Sequence, residues 1–161
     1  MDTQIVEIVG RNYLVSQLVR DGLEVARPER DRGVDLVAYM DLEEAGGGFV
    51  ACPVQMKAAT GRHFGLAKKY EKFGRALVFA YVWDVDDPDK VSSYALTYAE
   101  ALAVAEKMGW TKTASWCQGA YVTQRPSAKL LRLLAPYKMG RGAWALKVRE
   151  VAGAGGLAAA P

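Results

Sequence analysis

The sequence predicts an α/β (α+β) fold: a mixed central β-sheet of about four to five strands flanked by helices. Three observations carry this. An amphipathic stretch at residues 4–21 is followed by three short segments that alternate like strands. Residues 76–82 form an unbroken apolar run of strand length, the pattern of a strand buried on both faces. A Thr97–Glu100 capping box then opens a second clear helix.

Residues 4–21 read as a helix with Ile8, Val15, Leu18 and Val19 on its apolar side, ended by Gly22 in a left-handed cap. Glu7 and Arg11 lie one turn apart at the margin of that stripe. Residues 23–27 are a short strand stopped by Pro28, and residues 29–32 are a charged connection. Residues 34–39 form the second strand, which places Asp35 on the face shared by Val37 and Tyr39. Residues 41–48 are a hairpin loop with Gly46, Gly47 and Gly48 as its flexible part. Residues 49–58 are the third strand, with Gln55 and Lys57 on one face. Pro53 cannot donate to a ladder, so an edge, a bulge or an unpaired position is expected there.

Residues 64–73 read as a helix carrying Lys68, Lys69 and Lys72, and the buried run at 76–82 follows. An acidic turn at 84–89 leads to a short strand at 93–96. The capped helix runs to Met108 and stops at Gly109. Residues 110–120 read as an aromatic loop and 121–123 as a brief strand. Ser127 caps a helix through Leu134, which Pro136 stops. Residues 144–148 read as a short strand or extended arm, and 151–161 as a mobile Gly/Ala tail. Residues 1–150 are expected to form one domain, with a core over 4–82 and a helical, aromatic extension over 90–150.

Composition narrows the chemistry. Hydrophobic residues make up 51% of 161, enough for a core. The net charge of +3 permits contact with nucleic acid without requiring it. Cys52 and Cys117 stand far apart and outside any CxxC, against zinc clusters and disulfide scaffolds and in favour of a reducing compartment. The start, Met1-Asp2-Thr3-Gln4, lacks the features of a signal peptide, and no apolar run nears the ~20 residues that span a bilayer. A cytoplasmic protein with no membrane association is expected. His63 is the single histidine, which argues against Ser/His/Asp or Cys/His catalysis.

What remains is an acid, an amide and an ammonium. Neighbouring strands bring Asp35, Gln55 and Lys57 together at the end of a sheet, where they suit a hard divalent cation and a phosphate, the chemistry of a nuclease. Each also has a plainer reading. Asp35 can pair with Arg32 or Lys57, Gln55 can be a hydrogen-bonded amide beside Pro53, Lys57 can be a solvated strand end, and Glu7 can pair with Arg11. Lys68, Lys69, Lys72 and Arg75, with Arg62, form a basic cluster that is either a solvated face or a phosphate-contacting surface. His63 reads as a loop residue within reach of such a phosphate.

The order α-β-β-β-α-β, with Asp35 in the second strand and the Gln55-Met56-Lys57 triplet in the third, resembles the PD-(D/E)XK nuclease superfamily over roughly residues 4–82. The Q-x-K form resembles its Mrr-like branch, and the compact size resembles archaeal Holliday-junction resolvases. The resemblance implies a restriction-endonuclease-like αβββαβ core that cuts DNA with Mg²⁺ (or Mn²⁺). Asp35, Gln55 and the Met56 carbonyl would hold the ion, and Lys57 would lie beside the attacking water or the scissile phosphate. The family's first helix often supplies a Glu. Here that place falls near Arg11, and Glu7 lies one turn earlier. The alternatives are a catalytically inactive nuclease-fold module that binds nucleic acid or a protein partner, and a homodimer formed through the C-terminal half.

Overall fold

The structure, a computed structural model, describes residues 1–30, 32–41, 43 and 48–156. The chain opens with α1 (Thr3–Arg20), capped by Asp2, whose carboxylate accepts the Gln4 amide at 3.0 Å. Then come β1 (Leu23–Ala26), β2 (Leu36–Met40), β3 (Ala51–Ala58), β4 (Phe64–Ala67), a 3₁₀ helix (Lys68–Phe73), β5 (Val78–Trp83) and β6 (Ser92–Thr97). The chain continues through α2 (Tyr98–Lys107), a 3₁₀ turn (Trp110–Lys112), α3 (Ala114–Cys117), β7 (Ala120–Thr123), α4 (Ala128–Leu134), a 3₁₀ turn (Ala135–Tyr137) and α5 (Ala143–Gly156).

The main sheet has five strands in the order β1-β2-β3-β5-β6. Its one parallel pair is β3 with β5, so the mixed sheet flanked by helices is as the sequence predicts. Strand alternation divides the core. Leu36, Ala38, Val54, Val78 and Ala80 face a layer that includes Leu14 and Leu18 of α1 and Trp144, Val148 and Val151 of α5. Phe79 and Tyr81 face the other way, onto Phe64, Tyr70, Trp110 and Trp116.

The crossover from β3 to the parallel β5 corrects the predicted helix at 64–73. Its first half is β4, paired antiparallel with β7 in a separate two-stranded sheet, and its second half is a 3₁₀ helix. Phe64, Gly65 and Leu66 are all buried, and a Cβ on Gly65 would lie 2.8 Å from the Val122 side chain. Close strand-to-strand packing therefore outweighs the helical pattern of lysines that follows. Part of the predicted loop at 110–120 is ordered as a 3₁₀ turn and α3, the latter capped by Thr113, whose hydroxyl accepts the Trp116 amide.

The apolar side of α1 also differs from the reading. Val6, Gly10, Leu14 and Leu18 are buried, whereas Ile8 and Val19 are exposed. The buried line is set by Gly10: a Cβ there would lie 2.5 Å from the Cβ of Ala58, so only a glycine lets the helix come this close to β3. Pro53 occupies an interior strand. It stands opposite Val37, out of step with the bonded Met40–Val50 position, so it falls at a non-hydrogen-bonded pair. The β5 ladder begins only at Val54, so no strand bond is missed on the other side either.

Residues 144–148 are helix, not strand or arm. Asp21, just past the end of α1, accepts the amides of Gly142 (2.7 Å) and Trp144 (2.9 Å) and so caps α5 from across the molecule. That helix runs to Gly156 where the sequence reading places a mobile tail from Val151, and Val151 is buried. Residues 157–161 of that tail, and 42 and 44–47 of the predicted hairpin loop, lie outside the described residues. Among the described residues no helix is long and apolar enough to cross a membrane.

Candidate active site

The ends of β2 and β3 part in a specific way. The Asp35 amide bonds the carbonyl of Val54 (2.9 Å), the residue already paired with Leu36. Two residues of one strand then oppose one of the other, the arrangement of a β-bulge, which re-aims the side chain beside it. The Asp35 carboxylate turns back to the next rung and accepts the Met56 amide at 2.6 Å. A strand residue directs its N–H and C=O to the same side, so the Met56 carbonyl faces the same gap.

Around that gap lies a cavity of about 290 Å³ lined by Thr3, Val6, Glu7, Asp35, Gln55, Met56, Lys57 and Ala58. The predicted Glu7, Asp35, Gln55, Met56 and Lys57 thus meet at one place, although they come from α1, the residue just before β2, and β3. Glu7 is delivered by the close approach of α1 at Gly10, three residues on. Its carboxylate also pairs with Arg11 (2.8 Å) and is largely exposed.

Gln55 is the informative member. Its Oε1 is buried with no hydrogen-bond partner among the described residues. Such an orphan costs about 1–3 kcal/mol, a cost that a cation or a donor from a ligand would relieve. The donor set of two carboxylates, one amide oxygen and one backbone carbonyl is all oxygen and suits Mg²⁺, which needs one or two carboxylates and keeps several waters. No group of three His, Cys, Asp or Glu side chains stands ready for a metal among the described residues.

The basic residues divide into two places. Lys57 and Lys69 both lie over the ring of Tyr70, at 5.5 and 4.9 Å, so the aromatic joins the cavity to the 3₁₀ segment. Lys68 lies over Trp116 and Lys72 over Phe73. Arg62 and His63 instead line a neighbouring cavity of about 420 Å³, to which Gln124 also contributes and whose Ala58 is shared with the first. Burial, with the nearby Lys57 ammonium second, holds the His63 imidazole below its ordinary pKa and therefore neutral at pH 7. Tyr70 and Gln124 were not singled out from sequence. The first looks like any core aromatic, and the second reaches its place only through the β4–β7 pairing.

The sequence matches no protein-family profile and no curated protein. The structure is similar to that of a bacterial homing endonuclease, I-Ssp6803I, with a TM-score of 0.50 over 97% of this chain and 98% of that one, at 14% identity. At such identity the likeness is one of fold, and the protein has a nuclease-like fold built on a five-stranded mixed sheet.

Proposed function

We propose that this protein is a Mg²⁺- or Mn²⁺-dependent endonuclease of the PD-(D/E)XK type that hydrolyses DNA phosphodiester bonds. The observation that carries the reading is the single cavity shared by Glu7, Asp35, Gln55, Met56 and Lys57. The nuclease-like fold supports it. Asp35, the Gln55 amide oxygen and the Met56 carbonyl would hold the ion, with Glu7 completing the set when it leaves Arg11. When bound, the ion supplies acidification of a water and neutralisation of charge at the phosphate.

The chain's own part is positional and electrostatic. Met56 N–H fixes the Asp35 carboxylate at the mouth of the cavity. The Lys57 ammonium stabilises the negative charge that grows on the phosphate oxygens as water attacks and the bond to the leaving oxygen breaks. Lys68, Lys69 and Lys72 would contact backbone phosphates, giving affinity that is independent of sequence and falls with salt.

Plasmid nicking with Mg²⁺ or Mn²⁺ tests the proposal. Wild type should nick, and Asp35→Ala and Lys57→Ala should not. Equal rates in all three would end it. A second reading, a nuclease-fold module that binds nucleic acid without cutting, is favoured by the Glu7–Arg11 ion pair, which occupies one of the two acids. It predicts salt-sensitive DNA binding with no cleavage. Mn²⁺ affinity measured by calorimetry and lost on Asp35→Ala would refute it.

A further inference from the structure

The cavity next to the candidate site is built, not incidental. Its loop, residues 59–63, is stitched to the end of β5. The Ala59 amide bonds the Val82 carbonyl (2.9 Å), and the Ala59 and Gly61 carbonyls accept the amides of Val85 (3.2 Å) and Asp84 (3.4 Å). The His63 carbonyl accepts the Trp83 indole N–H at 2.6 Å. At this seam Asp84 takes φ 54, the left-handed region, alone among the described residues other than glycine. Backbone strain of this kind persists where the surroundings hold it and gathers at functional sites.

What the strained residue does is visible. The Asp84 carboxylate meets Arg62 at Nε (3.4 Å). Among the described residues the Nη groups, the fork that matches two phosphate oxygens, make no hydrogen bond. Arg62 itself is half-exposed at the cavity rim. Gln124, just past the end of β7, lines the same cavity and carries both a donor and an acceptor. His63, neutral, adds hydrogen-bonding capacity without a second charge. Ala58 is common to this cavity and to the one holding Asp35 and Lys57, so a single strand of nucleic acid could occupy both.

We infer that this cavity is a second backbone subsite for DNA, taking the phosphodiester next to the one at the candidate active site, with Arg62 as its clamp, Asp84 as the positioning residue and Gln124 as a neutral contact. The inference rests on the proposal that the adjoining site handles DNA.

The test is anisotropy of a short fluorescein-labelled duplex DNA in EDTA over a range of NaCl, beside plasmid nicking with Mg²⁺. Arg62→Ala should weaken binding roughly tenfold and reduce the salt slope by about one unit. Gln124→Ala should weaken binding severalfold and leave the slope unchanged. Asp84→Gly relaxes the backbone, so affinity should fall while thermal stability does not, which a merely structural role would not produce. Arg132→Ala, an equal loss of charge on α4, is the control and should leave affinity near wild type. If Arg62→Ala does not fold, Arg62→Gln is read in its place. Arg62 variants that bind like the control overturn the subsite, even where Asp35→Ala abolishes nicking. Arg62-dependent binding with no nicking by wild type leaves the subsite standing and removes the nuclease proposal. No binding by wild type overturns the subsite.

Discussion

Gly10→Ala is the sharpest probe of how the cavity is held open. The added Cβ would sit 2.5 Å from the Ala58 Cβ, whereas carbon atoms rest at about 3.5–4.0 Å. The helix must therefore retreat from β3 by about 1 Å. Overpacking of this size costs about 1–3 kcal/mol, and alanine recovers about 1 kcal/mol through helix propensity. A net loss of about 1 kcal/mol is expected, or about 2–4 °C in Tm for a chain of this size. Equilibrium urea unfolding followed by tryptophan fluorescence measures it. Ala58→Gly removes the opposing methyl, so the double variant should relieve the clash and show a coupling of about 1–3 kcal/mol. A stabilising Gly10→Ala, with the two changes additive, would refute the close approach. Glu7 rides on the same helix, so the single variant should also lose nicking activity that the double variant regains.

Four further outcomes are expected. Gln55→Glu places a second carboxylate beside Asp35, so Tm in EDTA should fall while Mn²⁺ binds about tenfold more tightly by calorimetry. Thr97→Ala removes the hydroxyl that accepts the Glu100 amide, which is its half of the capping box, and should cost about 1 kcal/mol in urea unfolding. His63 has its folded pKa lowered below the unfolded value of 6.5, so the unfolded chain binds more protons in the window beneath it. Stability should therefore hold above about pH 6.5 and fall as pH drops below it, and His63→Gln should flatten that limb in Tm against pH. Cys52 is buried with its thiol pushed up to about 12 by desolvation, whereas Cys117 is exposed. A thiol reagent should count one cysteine in the native protein and two in denaturant.

What could be read from sequence follows the range of the interactions concerned. Gln55 and Lys57 lie two apart on β3, and Asp35 immediately precedes the neighbouring β2, so the two-residue period and the pairing of adjacent strands bring the three near one another. Thr97 with Glu100 is a four-residue device and was read in full. The misreadings are where the deciding partner is distant. Ile8 and Val19 look as apolar as Val6 and Leu14, and only the meeting of Gly10 with Ala58 selects the buried side. Phe64–Ala67 becomes a strand because β7 supplies its partner more than fifty residues later. The segment after Trp144 is rich in helix formers, but the group that satisfies its first amides is Asp21, more than a hundred residues away, so the start of that helix has no local signal. The bulge at Asp35 is likewise a matter of two ladders meeting and leaves no mark in the sequence.

The Asp21 carboxylate joins the close of the first helix to the opening of the last. A link spanning nearly the whole polypeptide forms late, because bringing its ends together costs chain entropy before any reward arrives. During synthesis the Asp21 carboxylate cannot make this link until Trp144 has been added to the chain. Glu7 owes its bearing to the approach of Gly10 to Ala58, which needs none of the last helix, so every residue lining the pocket is made well before the clasp that joins the two helices.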